Sequence, residues 1–229
     1  MCFQLLIIIS TMEAYDARLH HPSTMLITGP SGSGKSYFAK NLLECGESIF
    51  KPYKPGFNIL VYHTWQNIYQ EMTDKGLINM SVNGLTDYDY LKEVFEQHKE
   101  SNGSLIIIDD QMDNIDQNIV NIFTIISHHM NVTCLLLTQS LFLSNKLYRT
   151  ISLNSHYICI FKNARDRSSV TQLAKQTHPF RTRFITDAYI DATTNPHSYL
   201  LFDLRQETPE QLRILANIFS NPITVYVSK

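Results

Sequence analysis

An α/β fold, with a mainly parallel central sheet flanked by helices on both faces, is what this sequence of 229 residues predicts. Two observations predict it. Short apolar runs without polar alternation recur along the chain, as in strands covered on both faces. Between them lie segments with helical spacing, and that alternation builds parallel sheets. The composition supplies the core: 44% hydrophobic and 17% charged, with 8 Gly and 8 Pro, which excludes disordered, collagenous and low-complexity classes. A domain of this length buries about 70% of its extended-chain surface, so it needs no staples.

The elements follow in order. Residues 2–9 are apolar but far short of the ~20 residues of a membrane helix, and they lack the basic flank of a signal peptide. Residues 1–11 are read as an N-terminal extension ahead of Met12, with an extra edge strand as the alternative. Residues 24–28 predict a buried strand, followed by a glycine loop and a helix to about Glu44. A second strand is expected over 58–63, entered through the Pro/Gly loop 51–56. Trp65 and Tyr69 stand at helical spacing and are expected in the core, with base stacking as the alternative.

Asp89 opens a helix with Leu91, Val94, Phe95 and His98 along one stripe, and 105–108 is a doubly covered strand. Ile115, Ile119, Ile122, Phe123 and Ile126 keep helical spacing up to His128 and His129. Imidazoles at that end favour the negative pole of the helix; sensing of nucleotide state is the other reading. Residues 132–138 and 157–161 are buried strands, and 199–203 continue the sheet. Thr208-Pro209-Glu210-Gln211 predicts a capped helix start. Leu212, Leu215, Ala216 and Phe219 would be its buried face, with a terminal strand over 223–227. No repeat or linker divides the chain, so 12–229 is read as one domain. The four cysteines are scattered, which excludes a disulfide framework or zinc ribbon and suits a reducing compartment.

Chemistry concentrates where strands end. Gly29-Pro30-Ser31-Gly32-Ser33-Gly34-Lys35-Ser36 has the full G-x-x-x-x-G-K-S pattern between a strand and a helix. Its glycines let backbone N–H groups face phosphates, and the helix N-terminus adds partial positive charge. Lys35 is expected on the β- and γ-phosphates of ATP, and the Ser36 hydroxyl on Mg²⁺. The run 105–108 delivers Asp109 and Asp110, a Walker B arrangement; a solvated Asp-Asp turn is the bland alternative. Asp109 would hold the metal and Asp110 would act as the base that orients water. Asp113 and Asp116 read as a helix start, with extra metal ligands as the alternative. Gln139 ends the next strand and is expected in the same crevice, touching the γ-phosphate and the lytic water, or else anchoring its own loop. No Asn-Lys-x-Asp guanine reader is present, and no lid or second substrate pocket of a nucleotide kinase stands out. The set reads as a P-loop ATPase of the ASCE, RecA-like type.

Charge is unevenly spread around a net of −2. Residues 84–118 hold nine acidic side chains against two basic, and 145–183 hold eight basic against one acidic. The basic stretch contains Lys146, Arg149, Lys162, Arg165, Arg167, Lys175, Arg181 and Arg183. Polyanion contact and a solvated face are both open readings of it.

Beyond the loop, several strings are more selective: His21-Pro22, Ser127-His128-His129 with Asn131, and Arg149-Thr150-Ile151-Ser152-Leu153-Asn154. Lys162-Asn163-Ala164-Arg165-Asp166 and Tyr199-Leu200-Leu201-Phe202-Asp203-Leu204 complete them. With these, the chain from about His21 to Lys229 resembles the FtsK–HerA superfamily, specifically the packaging ATPases of double-jelly-roll-capsid viruses and Maverick/Polinton elements of the adintovirus-like group, related to poxvirus and adenovirus packaging ATPases. Many members carry Glu where this chain has Asp110, and Asn where it has Ser140.

The resemblance implies an ATP-driven homo-oligomeric ring that moves double-stranded DNA, without sequence preference, into a preformed capsid. It implies a capsid protein or vertex as partner, no membrane, and a place in the host cell, in nucleus or virion. Arg149 and Arg165 become candidates for an arginine acting in trans, with an ion pair to Asp166 or a phosphate contact as alternatives. Lys146, Arg167, Lys175, Arg181 and Arg183 become candidate DNA contacts. A nucleotide-binding capsid-assembly factor with little hydrolysis, or a nucleotide kinase, is the competing reading.

Overall fold

The apolar runs form strands, and the helically spaced segments form the layers that cover them. The computed structural model describes residues 16–85, 88–109 and 115–228. The expectations for residues 1–11, Asp110 and Asp113 lie outside them. The chain opens with β1 (Leu19–His20) and β2 (Thr24–Thr28), then α1 (Lys35–Glu44), α2 (Gly46–Ile49) and β3 (Phe50–Lys51). Next come β4 (Phe57–Tyr62), α3 (Asn67–Asp74), β5 (Met80–Asn83), α4 (Tyr88–His98) and β6 (Ser104–Asp109). α5 (Gln117–Asn121) runs through a π-helical turn at Ile122–Ile126 into α6 (Ser127–His129). The rest comprises β7 (Val132–Thr138), α7 (Lys146–Leu153), β8 (Tyr157–Phe161), α8 (Ser168–Thr177), α9 (Thr182–Ala192), β9 (Tyr199–Asp203), β10 (Ile214–Ala216) and β11 (Thr224–Val225).

Among the described residues, nine strands form one sheet in the order β5-β4-β6-β7-β2-β8-β9-β10-β11. The first six are parallel; β9, β10 and β11 each pair antiparallel with the strand before. β1 and β3 form a small parallel pair of their own.

Alternate side chains of the central strands feed two cores. Leu26, Ile106, Ile108, Leu136 and Ile158 face α4, α5, α7 and the α8–α9 pair. Met25, Ile27, Leu105, Ile107, Leu135 and Leu137 face α1 and α3. Both sheet faces are therefore covered, as the absence of polar alternation requires. The helix expected from Asp89 begins at Tyr88 and buries Leu91, Val94 and Phe95. Asp116 caps α5, its Oδ1 accepting from Asn118 N at 3.0 Å and Ile119 N at 3.1 Å.

Three expectations are corrected. The helix over 208–219 is instead a 3₁₀ turn at Glu210–Leu212 followed by strand β10. Ile214 packs in one core and its neighbour Leu215 in the other, which needs period two rather than 3.6. The predicted cap is spent elsewhere, because Thr208 Oγ1 accepts from Arg205 Nη2 at 3.1 Å. The terminal strand is shorter than expected, two residues at Thr224–Val225. Trp65 precedes α3 and is 42% exposed, whereas Tyr69 inside α3 is 1% exposed.

Candidate functional site

The register brings three strand ends level. Thr28 of β2 pairs with Thr138 of β7, and Leu137 of β7 pairs with Asp109 of β6. β7 lies between the strand that enters the glycine loop and the strand that ends in Asp109. Gly29 N donates to Thr138 O at 3.1 Å, and Ser33 N closes a turn onto Pro30 O at 3.1 Å. Gly34 has φ 108°, and a Cβ there would come within 3.3 Å of the Phe161 ring and 3.4 Å of His197. Glycine is the residue that tolerates both the backbone and the crowding. From Gly34 the chain turns directly into α1, so the positive N-terminal end of that helix opens onto the loop.

The loop, Asp109 and Gln139 line one cavity of about 400 Å³. Lys35 Nζ donates to Gly29 O at 2.7 Å and Pro30 O at 3.1 Å, which holds the ammonium over the loop. Asp109 is 6% exposed, and its Oδ2 accepts from Ser36 Oγ and from Tyr69 OH, each at 2.8 Å. A hydroxyl and a carboxylate at this distance are hard oxygen donors on one side of the cavity. They fit Mg²⁺, which takes one or two protein oxygens and keeps the rest of its sphere for water and phosphate. Gln139 stands at the exposed end of β7 on the same cavity.

Several residues of this site were not singled out for it in the sequence. Tyr69 showed only helical spacing, and nothing in its pattern names a carboxylate partner 40 positions away. Gln66 and His197 also line the cavity. His197 has φ 60°, and its Nδ1 is 3.3 Å from Ser33 O. Only the turn-forming Asn195-Pro196 before it hinted at that backbone.

EssC (ATPases 2 and 3) from Geobacillus thermodenitrificans superposes on the chain with a TM-score of 0.56 and 12% identity, over 90% of this chain and 40% of that one. The cytoplasmic domain of the Type VII secretion ATPase EccC from Thermomonospora curvata gives 0.55 and 16% identity, over 81% and 24%. This is a P-loop ATPase fold. The chain spans less than half the length of either protein. No protein-family model and no curated protein matches the sequence.

Relative to the P-loop edge, the candidate cations fall into two groups. β8 runs parallel to β2, so the loop bearing Arg165 and Arg167 emerges at that edge, and α7 with Lys146 and Arg149 follows β7 from it. Lys175, Arg181 and Arg183 lie on the α8–α9 hairpin. Its two ends meet where Phe161 pairs with Tyr199, and these three cations cluster toward the other end of ten-residue α8 from Arg167. All seven side chains are exposed. Asp166 accepts from the Ser168 and Ser169 hydroxyls, and among the described residues neither Arg165 nor Arg167 forms an ion pair with it. Arg181 donates to Ser228 Oγ, and Arg183 Nε is 3.8 Å from Asp187. His128 and His129 are exposed in the last helical turn, and the His128 ring meets His156 edge-on at 5.3 Å. No helix among the described residues is long and apolar enough to cross a membrane.

Proposed function

We propose that this chain is an ATP-hydrolysing motor that moves double-stranded DNA, working as a ring of identical subunits. The observation that carries the reading is the convergence of Lys35, Ser36, Asp109 and Gln139 on one cavity, at the ends of three adjacent strands. Lys35 turns from the Gly29 and Pro30 carbonyls to the β- and γ-phosphates, while the loop N–H groups hold them. Ser36 and Asp109 hold Mg²⁺, which when bound neutralises the charge that grows on the phosphate oxygens. Gln139 orients the attacking water, and Asp110, next in sequence to Asp109, takes its proton. An exposed arginine, Arg149 or Arg165, completes the site of the neighbouring subunit.

The cargo rests on the resemblance to packaging ATPases and on the cations of residues 145–183. Contact through phosphates suits a motor that must pass any sequence. Delivery into a capsid, with a capsid protein as partner, follows from the same resemblance. The test is ATP turnover with and without double-stranded DNA across a salt series. Turnover should rise several-fold with DNA, lose that stimulation as salt rises, and vanish in Lys35→Ala. Equal turnover with and without DNA would sink translocation.

A further inference from the structure

Behind the phosphate cavity lies a second one of about 480 Å³, and the two share Gly34, Tyr37 and His197. Its floor is aromatic. Phe38 packs edge-on against Phe161 at 5.9 Å, Tyr199 at 4.8 Å and Phe219 at 5.2 Å between ring centroids. Tyr199 is fixed in turn, its hydroxyl accepting from Ile218 N at 3.1 Å. The walls are the Tyr37 ring, 59% exposed on α1, and the exposed His197 ring. The sequence marked none of this, because the rings come from α1, β8, β9 with the turn before it, and the turn after β10.

We propose that this aromatic cavity receives the purine base of the bound nucleotide, with Tyr37 and His197 as its stacking walls. The proposal rests on the nucleotide reading of the glycine loop and deepens it. Continuity identifies the occupant. A triphosphate seated on the loop N–H groups leaves past the start of α1, and Tyr37 is the second residue after Lys35. A flat, apolar ring system carried on that chain next meets π-faces, which bind any purine by stacking and burial. The left-handed backbone at His197 presses its ring against the loop at Gly34 and Ser33, so one side chain borders both cavities. A wholly apolar ligand unrelated to the nucleotide would need no such shared wall.

The experiment separates base from phosphates. Calorimetric titration of the full chain with Mg·ATP and, separately, with Mg·tripolyphosphate compares wild type with Tyr37→Ala and His197→Gly. Tyr37 is exposed, and glycine suits the φ of 60° at His197, so neither change strains the fold. ATP affinity should fall roughly tenfold in each variant, tripolyphosphate affinity should fall far less, and Tyr37→Phe should restore ATP binding. Wild type should also prefer ATP to CTP several-fold. Equal losses for both ligands, or ATP affinity unaltered in both variants, would overturn the base assignment while leaving the loop as a phosphate site. Wild type that binds neither ligand, or Lys35→Ala that binds both normally, would bring down the nucleotide reading and this proposal with it.

Discussion

At the scale of single residues, the Asp109 carboxylate is held by two hydroxyls on one oxygen. When Ser36 turns to a metal, Tyr69 remains as the buried donor that fixes the Oδ2 lone pairs. Tyr69→Phe keeps the ring and removes that bond. Groups that orient a metal ligand are worth ~10–100-fold, so kcat should fall about tenfold and the Mg²⁺ requirement should rise, with the KM for ATP little changed. A fall in KM affinity alone, at constant kcat, would show that Tyr69 only packs. His21 sets a second test, of stability. It is 3% exposed, its ring nitrogens within 2.7 Å of Thr133 Oγ1 and 2.9 Å of Asn102 O, and burial lowers its pKa to about 4. The unfolded chain takes up a proton near pH 6.5 and the folded one does not until about 4. Stability is therefore full above pH 6.5 and falls by ~3 kcal/mol as pH drops to about 4. Urea unfolding at pH 7.5 and 4.5 should show this slope reduced in His21→Asn; an unreduced slope would assign it to other groups.

At the scale of elements, legibility followed periodicity. The runs 24–28, 105–108 and 132–138 were plain because both faces are apolar, and the loop between a strand and a helix was plain because its spacing is long and specific. β10 was misread because Leu212, Leu215, Ala216 and Phe219 fit a helical stripe about as well as three buried residues fit a strand. Only pairing with β9 decides between them, and a partner strand is not a local signal. β5, with half-buried side chains alternating with exposed ones, left no apolar run to notice. The antiparallel end of the sheet also hides a lock that no motif announces. Arg205, 5% exposed, grips Asp203 with Nη2–Oδ2 at 2.6 Å and Nε–Oδ1 at 3.0 Å, and its guanidinium lies 5.2 Å from the Tyr157 ring. Arg205→Ala leaves a buried carboxylate without its cation, which costs about 3–5 kcal/mol. The urea midpoint should drop accordingly, and a change under 1 kcal/mol would mean that water reaches Asp203.

At the scale of the whole molecule, the order β2-β7-β6 was foreshadowed by one inference, that a strand following the acidic one faces the same crevice. The structure puts Gln139 there. The aromatic cavity was illegible because its rings come from four places in the chain, and tertiary closure alone joins them. The proposed trans arginine would make activity a property of the assembly. Turnover per subunit should therefore climb with protein concentration until rings form, and Arg149→Ala or Arg165→Ala should poison mixed rings out of proportion to its share. Turnover per subunit that is flat over a hundredfold dilution would remove the trans arginine.

The α8–α9 hairpin leaves the sheet after Phe161 and rejoins it at Tyr199, two residues that face each other across neighbouring strands. One side of this excursion is structural, because Val170, Leu173, Ala174, Ile185 and Ala188 are buried in the core. Evolution or an engineer that keeps those apolar positions can recharge the outer side, with its cations and its fully exposed Phe180, without retuning the chemistry next door.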